Sequence, residues 1–433
     1  MPQSPVFKQP DRILVVNSGS SSLKFTLYSI STNTLLAKGL VERIGTPSAN
    51  LAYQRNEEAK REFPVSALNH AEALKLATEY LIDPDYGVID SLSDVDAIGH
   101  RVVHGGEQFH KPTLITDSVK NGIMECSQLA PLHNPANLGG IQACEQVFPK
   151  VPNIAVFDTA FHQTMDAHAY LYAIPIHYYK KYGIRKYGFH GTSHNFIMEA
   201  AASYLGKNCD EMRMITCHLG NGSSVAAIKK RKVIDTSMGM TPLAGLVMGS
   251  RSGDVDPAVV LFLMRQGMTA DQIDVLLNKQ SGLFGVGGIQ SGDMRDIVDN
   301  AEAGNESAER ALNMWVHRLV MTIGGYHALL GGADAIVLSG GIGENSAYAR
   351  ARLLQQLGAL GCKLDEDRNR RGRNPCTITT EDSPIPVVVI PTDEELMIAQ
   401  ETFQVVQENC HDKDVSPGHK FDTPFTSLNG TDP

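Results

Sequence analysis

The chain has 433 residues, of which 42% are hydrophobic and 20% charged, values that exclude a small scaffold, a coiled coil and a largely disordered protein. Lys plus Arg number 38 against 48 Asp plus Glu, a net charge of −10, which disfavours a nucleic-acid partner but leaves room for local cations around a small anion. At about 100 to 200 residues per domain, this length predicts two or three domains.

The N-terminal MPQSPVFKQPDR lacks an apolar core of secretory length, and no stretch approaches about 18 uninterrupted apolar residues, so a soluble cytoplasmic protein without a membrane span is expected. Residues 1–11 and 410–433, rich in Pro, Ser, Asp and Gly, are expected to be flexible tails. The seven cysteines, Cys126, Cys144, Cys209, Cys217, Cys362, Cys376 and Cys410, contain no CxxC pair and suggest reduced thiols rather than a zinc knuckle or disulfide framework.

The first element is a strand over Ile13 to Val16, followed by the small-residue turn Asn17-Ser18-Gly19-Ser20-Ser21-Ser22 and a second strand that carries Lys24 and runs to Tyr28. Such a turn lets backbone N–H groups approach an anion, though an ordinary Ser-rich hairpin fits the same residues. It is no Walker loop, since GxxxxGK[ST] is missing. A helix over Ala71 to Leu81 follows, then Gly99-His100-Arg101-Val102-Val103-His104-Gly105-Gly106, where Arg101 suits either a bidentate anion contact or a surface salt bridge.

His133 lies in Leu132-His133-Asn134-Pro135, ahead of a helix over Leu138 to Val147. The run Ile154 to Phe157 reads as a buried strand ending at Asp158, the edge where α/β proteins place reactive groups. Phe189-His190-Gly191-Thr192-Ser193-His194 precedes a helix over Asn195 to Leu205, and His190 is the best imidazole to donate to a developing negative charge. No HExxH or comparable spacing makes zinc a candidate.

Ile215 to Ile228 repeats the first hairpin's plan around His218-Leu219-Gly220-Asn221-Gly222, and this echo suggests two similarly built domains. Arg251 sits between glycines in Gly249-Ser250-Arg251-Ser252-Gly253. A helix over Ala308 to Leu330 leads to a strand over Ala335 to Leu338, then a loop Gly340-Gly341-Ile342-Gly343-Glu344-Asn345 and a helix over Ala347 to Leu357 capped by Ser346. Near the end, Pro391-Thr392-Asp393-Glu394-Glu395 opens a helix over Glu395 to Val405. There the acids suit N-capping and, compatibly, a metal that prefers oxygen ligands.

Together these segments, with VFDTAFH, DTSMGMTPLAG and PTDEELMIA, resemble the acetate kinase (acetokinase) family of the acetate and sugar kinase/Hsp70/actin superfamily, in collinear order from Ile13 to Val405. The resemblance implies an α/β protein of two actin-like (ribonuclease H-like) domains with mixed sheets flanked by helices, an active site in the interdomain cleft and a homodimer. The expected domains are 12–161, joined by the helix 395–409 and carrying the acyl substrate, and 162–394, carrying the nucleotide and the dimer contacts.

By the same resemblance, Arg101, His133, Asp158, His190 and Arg251 are catalytic, with Asp158 organising metal or water. Arg101, Val103, Leu132, Phe189 and Pro242 would hold the acyl group. His218 to Gly222, Asp293, Met294, Arg295 and Gly341 to Asn345 would hold ATP or ADP, joined by Lys24, whose place after the small-residue turn suits contact with an anion's oxygens, and Asn17 and Glu394 would hold Mg²⁺, with Mn²⁺ as an alternative. The implied reaction is reversible in-line transfer of the γ-phosphoryl of ATP to acetate, giving acetyl phosphate and ADP for acetyl-CoA biosynthesis. A carboxylic acid is already ionised near pH 7, so no general base is needed, and the obstacle is charge repulsion. Propionate or butyrate as acceptor, pyrophosphate as donor, and an actin- or Hsp70-like switch are the alternatives. Replacing Arg101 or Arg251 by Ala is expected to depress turnover and leave folding intact.

Overall fold

The computed structural model describes residues 9–56, 58–131 and 133–411; the expected tails lie outside these residues except for 9–11, 410 and 411. It divides into two compact units, one of residues 9–160 with 393–411 and one of residues 161–392.

The first unit holds eight strands: β1 (Arg12–Ser18), β2 (Ser22–Ser29), β3 (Thr34–Glu42), β4 (Asn50–Arg55), β5 (Arg61–Pro64), β6 (Ala97–Val102), β7 (Thr113–Leu114) and β8 (Asn153–Phe157). They form one mixed sheet in the order β5-β4-β3-β2-β1-β6-β8-β7. β1 pairs antiparallel with β2 and parallel with β6, which pairs parallel with β8. The inner strands are buried along nearly their whole length, as continuous apolar runs in parallel strands require. The helix Glu394–His411 packs Ile398, Ala399 and Val406 on one face, against Ile13, Val15, Ile154 and Val156. On the other face, Leu74 and Ala77 of the helix His70–Leu81 and Cys144 of the helix Asn134–Val147 meet Leu14, Val16 and Leu23.

The second unit holds β9 (Arg213–Leu219), β10 (Ser223–Lys229), β11 (Lys232–Thr236), β12 (Ala335–Ser339), β13 (Cys376–Thr377) and β14 (Val387–Val389), in the order β11-β10-β9-β12-β14-β13. Here β9 pairs antiparallel with β10 and parallel with β12, and β12 pairs parallel with β14. The run β3-β2-β1-β6-β8 therefore recurs as β11-β10-β9-β12-β14, so the sequence echo reflects one plan used twice. Trp315, Leu319 and Ile323 of the 25-residue helix Glu306–Leu330 fill the core with Ile215, Cys217, Val225 and Ala227. Each such large apolar side chain contributes roughly 1.5–3 kcal/mol when buried. Segment 340–345, read from sequence as a loop, is itself a short helix, Gly340–Asn345, and Ser346 then caps the helix Ala347–Gln356. Among the described residues no helix is long and apolar enough to cross a membrane.

Candidate active site

In the first unit the C-terminal ends of the three parallel strands carry Asn17 (β1), Arg101 (β6) and, one residue past β8, Asp158. The hairpin register sets Asn17 opposite Lys24, and the turn closes with Gly19 N–H donating to Ser22 O at 2.9 Å. Arg101 donates from Nε to Asp158 Oδ1 at 3.0 Å and from Nη2 to Asp158 Oδ2 at 2.7 Å, and its Nη2 stands 4.0 Å from Glu394 Oε2. Burial works against the guanidinium's charge, but Asp158 and Glu394 outweigh it and raise its pKa.

Glu394 opens the helix Glu394–His411, whose first turn is capped by Asp393, accepting from Leu396 N–H at 2.9 Å. Burial pushes the Glu394 carboxyl up; Arg101 opposes this, and the charges of Asp158 and Glu395 reinforce it. Lys24 is ion-paired with Glu395. Val103, half-buried, donates its N–H to Asn137 Oδ1 at 3.1 Å, and Asn137 Nδ2 donates to Ser18 O at 2.8 Å. The same side chain thus holds the segment after β6 and the turn after β1. His133 is exposed at the N-cap of the helix Asn134–Val147, and Leu132 lies outside the described residues.

In the second unit His190 adopts a left-handed backbone, φ 57°, as N-cap of the helix Gly191–Tyr204, a strained conformation for a residue with a Cβ. Its ring stacks on His218 with centroids 4.3 Å apart. Phe189 beside it is buried, and its carbonyl lies 2.8 Å from His162 Nε2. Arg251 donates from Nη1 to Pro242 O at 2.7 Å, and among the described residues no carboxylate pairs with it. Burial lowers its pKa. A methyl group on Gly222 would stand 2.8 Å from Arg251 Nη2 and 3.5 Å from His190 Nε2, so both cation-capable groups face this one backbone position.

Beside them lies a cavity of about 750 Å³, within the size range of small-molecule sites, lined among others by Asn221, Asp293, Arg295, Gly341, Ile342 and Asn345. Glycine is required in its wall: a Cβ on Gly249 would stand 1.8 Å from Asn221 Oδ1, and one on Gly292 2.3 Å from Gly249 O. Gly220 and Met294 also line it. Leu219 and Gly343 are buried behind it, and Glu344 Oε1 accepts from Gly340 N–H at 2.9 Å and Thr392 N–H at 3.1 Å. Lys279, Phe284, Val298, Asp299 and Tyr348 also line it and carry no expectation from the sequence; the glycines flanking Leu283-Phe284 are the one local signal near them.

Among the described residues no group of three or more His, Cys, Asp or Glu is arranged around a metal position. Asn17 and Glu394 offer hard oxygen donors of the type Mg²⁺ takes a few at a time, and a dication near Glu394 would favour the ionised carboxylate that burial, and after it the charges of Asp158 and Glu395, disfavour.

Residues 12–400 match the sequence model of the acetokinase family. The acetate kinase of Halothermothrix orenii is 50% identical over 399 residues, covering 92% of this chain and 100% of that one. Two solved structures superpose closely: an acetate kinase from Porphyromonas gingivalis, at TM-score 0.87 and 43% identity over 92% of this chain and 100% of its own, and a propionate kinase from Francisella tularensis, at 0.85 and 41% over 91% and 99%.

Proposed function

We propose, from the premise that this chain belongs to the acetokinase family, that it is a kinase that reversibly transfers the γ-phosphoryl of ATP to acetate in one in-line step. The observation that carries this reading is the convergence of Arg251 Nη2 and His190 Nε2 on Gly222, beside a cavity of nucleotide size. Two anions must approach each other for the transfer, and donors aimed at the moving phosphoryl offset their repulsion.

In this reading the second unit, 161–392, binds ATP or ADP through Asn221, the start of the helix Met294–Glu302 with its cap Asp293, and the helix Gly340–Asn345. Arg251 and His190 donate to the phosphoryl oxygens. Phe189 and Pro242, with Val103, Leu132 and Arg101 of the first unit, hold the acyl group, and His133 assists. Asp158 orients Arg101 and needs no base role, because acetate is already ionised. Asn17 and Glu394 would hold Mg²⁺, which supplies positive charge to the nucleotide's phosphates when bound.

The carboxylates around Arg101 suit a hard cation and support the metal assignment. Exposed apolar side chains of the second unit, Leu261, Phe262, Met321 and Leu329 among them, support a homodimer through that unit. The thiols at Cys126, Cys144, Cys209, Cys217, Cys362 and Cys376 support a cytoplasmic enzyme, whose acetyl phosphate would connect to acetyl-CoA.

Propionate is the second reading, favoured by the propionate kinase among the similar structures. One methylene is worth only about 1–3 kcal/mol of discrimination. Trapping the acyl phosphate with hydroxylamine, with acetate, propionate and butyrate each given MgATP, decides it by kcat/KM. Acetate is expected to lead; a clear lead for a longer acid would reassign the acceptor, and no hydroxamate with any acid would remove the reading.

A further inference from the structure

We propose that Ser224 and His194 are positioning residues, members of a buried chain Thr216–His194–Ser224–His190 that holds His190 in the tautomer with its proton on Nε2. The inference rests on the phosphoryl-transfer reading of His190 and assigns roles to residues outside the candidate site. His190 Nδ1 lies 2.8 Å from Ser224 Oγ, Ser224 Oγ lies 2.8 Å from His194 Nε2, and His194 Nδ1 lies 2.8 Å from Thr216 Oγ1. Ser224, His194 and Thr216 are all fully buried, so the two links through His194 are shielded from water, and the link to His190 is partly buried.

A hydroxyl has one proton. Ser224 Oγ sits between two imidazole nitrogens, so it donates to one and accepts from the other. His194 is neutral: burial pushes its pKa well below the ordinary value, and the nearby His162 and His218 add to the effect. A neutral imidazole also has one proton, so the chain has only two polarities.

In the first polarity Thr216 donates to His194 Nδ1, His194 Nε2–H donates to Ser224, and Ser224 donates to His190 Nδ1. The His190 proton is then on Nε2, the nitrogen facing Gly222 and Arg251 Nη2. In the reverse polarity Ser224 donates to His194 and His190 must donate from Nδ1. A neutral His190 would then aim a lone pair at phosphoryl oxygens, which carry only lone pairs themselves. The adjacent Arg251 guanidinium disfavours a second positive charge, which leaves the first polarity as the one that supplies a donor. The chain also fixes the ring orientation of a residue whose backbone is held at φ 57°.

The test is a long-range ¹H–¹⁵N correlation spectrum of the full chain with ¹⁵N-labelled histidine and no substrate, with His190 assigned by loss of its signals in His190→Asn. The wild type is expected to show His190 with a protonated Nε2 and an acceptor Nδ1. Ser224→Ala is expected to give mixed tautomers and a 10- to 100-fold fall in kcat, with the KM for ATP within threefold; Ser224→Thr, if it folds, should restore kcat to within threefold. A wild-type His190 protonated on Nδ1 would overturn the inference whether or not the variants fold. So would a Ser224→Ala enzyme with the wild-type tautomer and turnover. Because the spectrum needs no acceptor acid, failure of the tautomer assignment is distinct from failure of the phosphoryl-transfer reading.

Discussion

Arg101 clasps Asp158 with two nitrogens, Nε at 3.0 Å and Nη2 at 2.7 Å, and the carboxylate it holds is 2% exposed. An arginine read from sequence as an anion-binding group is therefore also the counter-charge of a buried acid. Its replacement by Ala, expected from sequence to spare the fold, instead strands that acid. Removing one member of such a pair costs about 3–5 kcal/mol. Arg101→Ala should lower the stability of the first unit by that order as well as abolish turnover, whereas Arg101→Ala with Asp158→Asn should recover much of the stability and none of the turnover. Hydrogen exchange of β6 and β8 amides measures the first effect, and equal protection in the single and double variants would contradict it.

Gly222 is small because Arg251 and His190 lie against it. A β-carbon there comes within 2.8 Å of Arg251 Nη2, closer than real contacts allow, so the guanidinium must move. Gly222→Ala should reduce kcat about 10²- to 10³-fold, the effect of losing one donor to developing charge, with little change in thermal midpoint. Steady-state kinetics beside a melting curve checks it; a kcat within threefold of wild type would show that the close approach has no catalytic consequence.

Asn137 is the buried link between Val103 N–H and Ser18 O. Asn137→Ala leaves both backbone groups without that partner, at about 1–3 kcal/mol each. Asn137→Asp keeps the acceptor for Val103 and loses the donor for Ser18, so it should cost less than Ala unless its charge is retained on burial. The KM for the acid should rise in both, because the segment carrying Val103 loosens. An unchanged KM in Asn137→Ala would sink this link between packing and substrate binding.

The first unit should weaken in mild acid. Burial lowers the His100 pKa to about 4 despite the contact at 2.7 Å between Nε2 and Asn153 Oδ1, and burial lowers His104 to about 4 as well. Both values lie below the ordinary 6.5, so the unfolded chain takes up protons first. The stability is fully present above pH 6.5 and is lost as pH falls toward 4, by on the order of 3 kcal/mol per histidine. Hydrogen exchange of β6 amides at pH 7 and pH 5, corrected for intrinsic rates, should show the loss, and His100→Gln should halve it.

Much of the architecture was legible because its signals are local. Gly/Ser turns between β-branched runs marked both hairpins, and the apolar runs at 154–157 and 335–338 marked strands buried on both faces. The helix Gly340–Asn345 was not legible: its three glycines argue for a loop, and its start is secured by Glu344 reaching back to the Gly340 N–H. The partner of Arg101 stands 57 residues away in sequence, and Lys24, read as a nucleotide contact, meets Glu395 from the far end of the chain. Such pairings depend on strand order, which no local pattern encodes. The cavity wall at Lys279 and Tyr348 follows the same rule, since ordinary surface positions become a lining only when separate segments meet.

The most direct measurement is acyl phosphate formation by Arg251→Ala, with and without added guanidinium chloride at low millimolar concentration. Arg251 faces Gly222 with no carboxylate partner among the described residues, so its loss removes positive charge without stranding an acid. The expected result is a fall in kcat/KM of about 10³-fold or more, a small change in thermal midpoint, and partial rescue by free guanidinium. Turnover within tenfold of wild type in a folded Arg251→Ala enzyme would contradict the assignment of this guanidinium to the moving phosphoryl group.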